Sequence, residues 1–268
     1  MSFFFIRSRA TDINIKIINS SSLKDEVLLR RIKTVPSLDV VQKCKNISYV
    51  VEISDEKVSI NGDYHFEFKG KLSPSDSYVF IHALFYKIFF DSGYICIHAG
   101  AVFDKNNETI LFVGDFDAGK SHLNYFFSKN GYEICSADHC LINVENGQPV
   151  FVAGSCFDTV KDDVSRLDYL RCNEKRLIKK ILFLQGVQDD GKLDFREINE
   201  IKTIAKKLST HMFWPYFSGV MSMEEKCFVR MFPKDMQKCE EFWKSVKKIY
   251  LCRGDKAKIF EVVNNASK

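Results

Sequence analysis

The residues able to do chemistry concentrate in one stretch, Ile110-Leu-Phe-Val-Gly114-Asp115-Phe116-Asp117-Ala118-Gly119-Lys120-Ser121, followed at once by His122-Leu-Asn-Tyr-Phe-Phe-Ser128. An apolar run that reads as a buried strand stops at Gly114, and a helix begins near Gly119. Between them lies the spacing G-x-x-x-x-G-K-S, the pattern of a phosphate-cradling P-loop. Gly114 and Gly119 let the backbone turn tightly and present successive N–H donors. With the positive end of the following helix, those donors make an anion site spanning Gly114 to His122. Lys120 can reach the β- and γ-phosphates of a nucleotide as a point charge. Ser121 can offer its hydroxyl to a Mg²⁺ that the nucleotide carries. The expected ligands are therefore ATP and Mg²⁺.

Two further residues stand where such a site needs polar groups. The strand Tyr132-Glu-Ile-Cys-Ser-Ala137 delivers Asp138, the position at which nucleotide-hydrolysing and phosphoryl-transferring proteins put a Mg²⁺ partner or a catalytic carboxylate; a turn cap is the plainer alternative. Tyr94-Ile-Cys-Ile-His98-Ala-Gly-Ala-Val-Phe103 reads as a strand, joined to Thr109–Val113 by the polar turn Asp104–Glu108 as an antiparallel hairpin. His98 lies six residues before Asp104 and Gly114 six after Glu108, which sets His98 opposite the first P-loop glycine. There it can face a γ-phosphate, or be a structural histidine of the strand.

The elements around this core are read from periodicity. Asp12–Asn19 alternates like a half-buried strand, Tyr49–Ser54 is another, and Val58–Phe68 is a hairpin turned by Asn61-Gly62. Residues 1–72 thus form a β-rich N-terminal region able to recognise a substrate, with His65 on a strand surface. Residues 73–268 form the P-loop domain. Its first helix starts at Ser73-Pro74, runs almost wholly apolar to Gly93, and carries His82 as a core or boundary histidine. A short P-loop helix ends by Asn130-Gly131. A hairpin, Cys140–Val144 with Pro149–Ala153, turns at Glu145-Asn-Gly-Gln. Residues 155–176 are polar and loop-like, and Leu177–Leu184 is a strand followed by a turn at Asp189. Helical spacing returns over Ile198–Phe213, and Pro233 opens a further helix through Trp243. Lys248–Cys252 is a last strand and Lys256–Val263 a closing helix. The fold class expected is α/β, a mixed-sheet α+β arrangement.

Composition excludes several classes. A net charge of +4, from 39 basic and 35 acidic residues, suits an acidic ligand but makes no nucleic-acid binder. Nine cysteines without a C-x-x-C pair read as reduced thiols of a cytoplasmic protein. No apolar run approaches the ~18 residues of a membrane span, and Met1-Ser-Phe-Phe-Phe-Ile lacks the basic leader of a signal peptide. There is no internal repeat.

Residues 94–154 resemble the catalytic core of the HPr kinase/phosphorylase family and its stand-alone relatives. His98-Ala-Gly-Ala-Val, then Gly114-x4-Gly119-Lys120-Ser121, a short helix, Asn130-Gly131-Tyr132 and Ser136-Ala137-Asp138 carry the resemblance. It implies a P-loop kinase core of the HPr-kinase/PEP-carboxykinase-like type that transfers the γ-phosphoryl of ATP to a hydroxyl with Mg²⁺. The acceptor would be a peptide or protein serine or a small-molecule alcohol. Catalytic duty would fall to Asp138, His98 and Lys120, and metal binding to Ser121 and Asp138. A homo-oligomer is compatible with this picture.

Three departures from the family pattern narrow it. The paired acid becomes Asp138-His139. The middle glycine of the loop becomes Asp117, with Asp115 a second carboxylate beside a phosphate site. The family's longer phosphorylase signature is absent from residues 155–220. A specialised kinase is therefore expected in place of a bifunctional HPr-directed enzyme. A nucleotide-binding regulatory or scaffold protein and a phosphate-releasing ATPase are the alternatives.

Overall fold

The computed structural model describes residues 1–68, 76–115, 117–155, 157–160, 163–166, 173–212, 227–229 and 237–265. They form two mixed sheets with helices, an α+β fold. The chain divides into two compact units, Met1–Tyr94 with Phe213–Met236, and Ile95–Met212 with Gln237–Lys268.

The first unit is built on a seven-stranded sheet of β1 (Ser2–Ser8), β2 (Asn14–Asn19), β3 (Leu38–Val41), β4 (Tyr49–Ile53), β5 (Lys57–Ile60), β6 (Asp63–Phe68) and β16 (Cys227–Val229), in the order β16-β6-β5-β4-β2-β1-β3. Only β2 and β4 run parallel. The β5–β6 hairpin turns at Asn61 and Gly62, whose φ angles of 53° and 83° are those Asn-Gly favours. Helix α1 (Asp25–Ile32) packs on α2 (Asp76–Asp91), whose Phe80, Phe85 and Phe89 are fully buried. His82 on α2 is a core histidine, with Nε2 3.5 Å from Thr34 Oγ1 and its ring edge-on to Tyr86. Packing of α2 on α1 is why the divide falls at Tyr94/Ile95 and not at 72/73 as the helix-start signal suggests. That signal, Ser73-Pro74, lies outside the described residues, as does Pro233.

The second unit carries the Gly114–Ser121 stretch. Its eight-stranded sheet comprises β7 (Ile95–Phe103), β8 (Thr109–Val113), β9 (Glu133–Ser136), β10 (His139–Glu145), β11 (Gln148–Gly154), β14 (Arg176–Gln188), β15 (Leu193–Glu197) and β17 (Ile249–Asp255). Strands run β11-β10-β7-β8-β14-β17-β15, with β9 beside β7, and β11 also pairs with β14. Strands β8, β14 and β17 are parallel, as a strand–loop–helix crossover demands. Helices α3 (Lys120–Lys129) and α6 (Lys256–Asn265) cover this part of the sheet, while α4 (Ile201–Met212) packs on β7 and on α5 (Gln237–Ser245).

Aromatic residues fill the space under α3. Phe127 stands edge-on to Phe112, Tyr132 and Phe260, at centroid separations of 5.0, 5.0 and 4.9 Å. Each such pair adds about 0.5–1.5 kcal/mol beyond burial, so α3 is anchored to its surroundings through its C-terminal half. Lys180, buried on β14, donates Nζ to the Val263 carbonyl near the C-terminus of α6, where a cation is favoured.

Several elements depart from the periodicity reading. The polar stretch after Ser155 contains a two-stranded hairpin, β12 (Phe157–Val160) with β13 (Asp163–Arg166), which its alternating but polar residues disguise. β14 runs four residues past Leu184, and β15 pairs with β17 through residues that are largely exposed.

Candidate active site at the G-x-x-x-x-G-K-S loop

Strand β8 ends at Val113 and the chain turns through Gly114–Gly119 into α3. Gly119 takes φ 95° and is the N-cap of α3 without a side-chain cap, so the first N–H groups of the helix are not spent on a cap side chain. A Cβ at this position would lie 2.5 Å from Val187 Cβ on β14. Both the backbone angle and the close strand require glycine. Asp117 also has φ 60°, a conformation that Asp tolerates better than most residues. Asp115, Asp117, Ser121 and His122 are exposed along this turn, and Ala118 is buried. Phe116 lies outside the described residues.

Lys120 is only 7% exposed, and its Nζ donates to the carbonyls of Gly114 at 2.9 Å and Asp115 at 3.0 Å. Burial lowers its pKa, against the pull of Asp138, Asp115 and Asp117. The two loop carboxylates therefore favour the charged form of the lysine.

The β7–β8 register runs Phe103↔Thr109 to Ala99↔Val113, so His98 stands one step on, opposite Gly114. On its other side β7 pairs with β10, and there His98 is directly opposite His139. Residues opposite one another in an antiparallel pair share a face. Their rings accordingly lie 5.3 Å apart, both buried. Asp138, just before β10, receives both. His98 Nε2 is 2.9 Å from Oδ1, His139 Nε2 is 3.3 Å from Oδ2, and Lys120 Nζ is 3.9 Å from Oδ1.

Burial drives His98 below its usual value and outweighs the attraction of Asp138, so its imidazole is neutral near pH 7. Burial alone would raise the Asp138 carboxyl, but His98 and then His139 hold it well below the usual carboxylate range. The result is an ionised carboxylate, one quarter exposed, ringed by three nitrogen groups.

Residues with no evident role in sequence fix this geometry. Ser155 Oγ accepts from the backbone N–H of both Asp138 and His139, at 3.1 Å each. It reaches them because Gly154 passes close to β9, where a Cβ would sit 2.2 Å from the Cys135 carbonyl. Ser136 Oγ donates to the His139 carbonyl at 2.7 Å, and Asn124 on α3 ties to the Ser136 carbonyl at 2.9 Å. The turn bearing the carboxylate is thus bonded to the helix bearing the lysine.

No family model matches the chain, and no curated protein matches it. Among solved structures it is similar to the Hpr(Ser) kinase/phosphatase from Coxiella burnetii, at 14% identity, over 40% of this chain and 72% of that one, with a TM-score of 0.30. What the chain does must be read from its own residues. Among the described residues no helix is long and apolar enough to cross a membrane, and no group of three or more His, Cys, Asp or Glu forms a metal cage. Cys44, Cys96, Cys135, Cys140, Cys239 and Cys252 are free thiols.

His211, near the end of α4, is a neighbour of the site that no sequence motif marks. Its ring centroid is 6.3 Å from that of His98 and 6.2 Å from that of Phe183. The signal was present, since His211 follows Ile204 by seven residues and so shares the inward face of the helix. Burial pushes its pKa down to about 4, with His98, Lys120 and Lys207 acting the same way and Asp115 opposing.

This burial has a pH consequence. An unfolded histidine titrates near 6.5, so between pH ~6.5 and ~4 the unfolded chain binds more protons than the folded one. Stability should fall as pH drops through that window, by up to about 3 kcal/mol for His211 alone, with His98 adding in the same direction. The Asp138 loss begins only below ~pH 4. Urea midpoints across this range check the order. A flat profile from pH 6.5 to 4 would contradict neutral burial of these histidines.

Proposed function

We propose that the second unit is an ATP-dependent phosphotransferase that moves the γ-phosphoryl group to a hydroxyl of a peptide, protein or small molecule. The observation that carries this reading is the Asp138 carboxylate, bound by His98 at 2.9 Å and standing 3.9 Å from the P-loop lysine. Phosphoryl transfer asks for positioning and charge neutralisation more than for covalent chemistry, and this arrangement offers both. Lys120 and the N–H groups at the start of α3 take the phosphate chain. Ionised Asp138 orients the acceptor hydroxyl and takes its proton as the new O–P bond forms and the bond to the leaving ADP oxygen breaks.

A depressed carboxyl is a weak base, which suits a loose transition state in which the proton leaves late. Ser121 and Asp138 are the residues that would hold Mg²⁺. One hydroxyl and one carboxylate fit an ion that arrives on its nucleotide, since Mg²⁺ is usually held by one or two carboxylates plus phosphates and waters. Its contribution when bound is to offset charge on the phosphate oxygens.

His98 is a positioning residue here, acting through Asp138. His98→Ala should slow transfer by about 10²-fold while ATP affinity changes little, because it frees the carboxylate to move. Comparing turnover with nucleotide affinity in that variant checks the split. Equal losses in both would place His98 in nucleotide binding instead.

A second reading, a nucleotide-binding regulatory protein, is favoured by one observation. His139 fills the place of the family's second acid and turns toward Asp138, which leaves a single carboxylate. Incubating the full chain with γ-labelled ATP, Mg²⁺ and a panel of hydroxyl acceptors separates the two. Labelled product supports the kinase, whereas binding without any turnover supports the regulatory protein.

A further inference from the structure

His211 stands on α4, a helix that lies far along the chain from the loop, yet its surroundings belong to the loop. Its ring packs between those of Phe183 on β14 and His98 on β7. The charged and titratable groups that bear on it are His98 from β7, Asp115 and Lys120 from the loop, and Lys207 from its own helix. The side chain is more than nine-tenths buried, and its Nδ1 has no hydrogen-bond partner among the described residues. A buried nitrogen left in that state is destabilising and calls for an explanation, of which a partner supplied from outside the chain is one. Lys120 and Lys207 as well as Asp115 act on the ring, and Lys120 is the residue that reaches terminal phosphates in a loop of this spacing. An anionic oxygen beside Lys120 would fit that nitrogen.

We infer that His211 is a ligand-binding residue of the P-loop site, hydrogen-bonding the terminal phosphate of a bound nucleoside triphosphate. The inference rests on the reading of the loop as a nucleotide site, and adds to it a contact from α4 that discriminates triphosphate from diphosphate. Lys120 serves both nucleotides, whereas His211 serves only the longer one.

The experiment is a calorimetric titration of the full chain with MgATP and with MgADP, for wild type, His211→Phe and His211→Asn. Phenylalanine keeps the ring between Phe183 and His98 but removes both nitrogens. Asparagine keeps a polar atom near the place of Nδ1. His211→Phe should lose about tenfold or more in MgATP affinity, the scale of a hydrogen bond to a charged group, with MgADP affinity unchanged within about twofold. His211→Asn should recover part of the difference. If His211→Phe binds both nucleotides as wild type does, or loses both equally, the inference fails while the nucleotide site stands. If wild type binds neither nucleotide, both fail together.

Discussion

Asp138→Asn should leave MgATP bound and cut phosphoryl transfer, to an acceptor or to water, by ~10²–10⁴-fold, the usual scale of a lost general base. The amide matches the carboxylate in shape, so the turn held by Ser155 should persist. What changes is proton and charge. An amide cannot take a proton from the acceptor, and it turns an N–H donor toward one of the two histidines that now face carboxylate oxygens. Single-turnover rates with γ-labelled ATP, beside an equilibrium measurement of ATP affinity, read the two effects separately. Turnover within a few-fold of wild type would reduce Asp138 to a turn residue between β9 and β10.

Lys120 carries the second large effect, and the structure changes how it should be tested. Its ammonium ties the carbonyls of Gly114 and Asp115 while its stem is buried. Lys120→Ala therefore removes loop bonds and packing together with charge. Lys120→Met keeps the buried stem and removes the charge with its loop bonds, so the two variants differ in packing. MgATP affinity should fall by about 10-fold to 100-fold in the methionine variant, the scale of one charge-assisted hydrogen bond. Its thermal midpoint should lie above that of the alanine variant, which loses the packing of the stem as well. Equilibrium dialysis with labelled ATP measures the first and a melting curve the second. Unchanged affinity in Lys120→Met would end the assignment of the loop as a phosphate site.

Much of this site was legible because its pieces are local. The loop needs only the order strand, glycine, glycine-lysine-serine, helix, and the hairpin turn at Asp104–Glu108 carries its own register to His98 and Gly114. Asp138 was legible as the acid after an apolar strand. The contact between His98 and His139 was not, because it depends on β10 joining β7 across the sheet, and nothing in either strand names its neighbour. His211 and Ser155 belong to the same class, since they reach the site through the packing of α4 on β7 and the close pass of Gly154 over β9.

In the first unit β1 escaped notice because Phe3, Phe4 and Phe5 break the alternation that marks a half-buried strand. Helix α1 is only eight residues long and rich in charge, so its apolar face is two residues, Leu28 and Ile32. The compact units divide after α2 and not before it. A helix-start signal shows where a helix begins, and only packing shows which unit it joins.

The central claim is that Gly114–Ser121 and its neighbours recognise a chain of phosphates. Calorimetric titration of the full chain with MgATP and with AMP tests it most directly. The account predicts one MgATP site per chain and far weaker binding of the monophosphate, which lacks the groups that Lys120 reaches. Equal affinity for the two nucleotides, or no binding of MgATP at millimolar concentration, would contradict it.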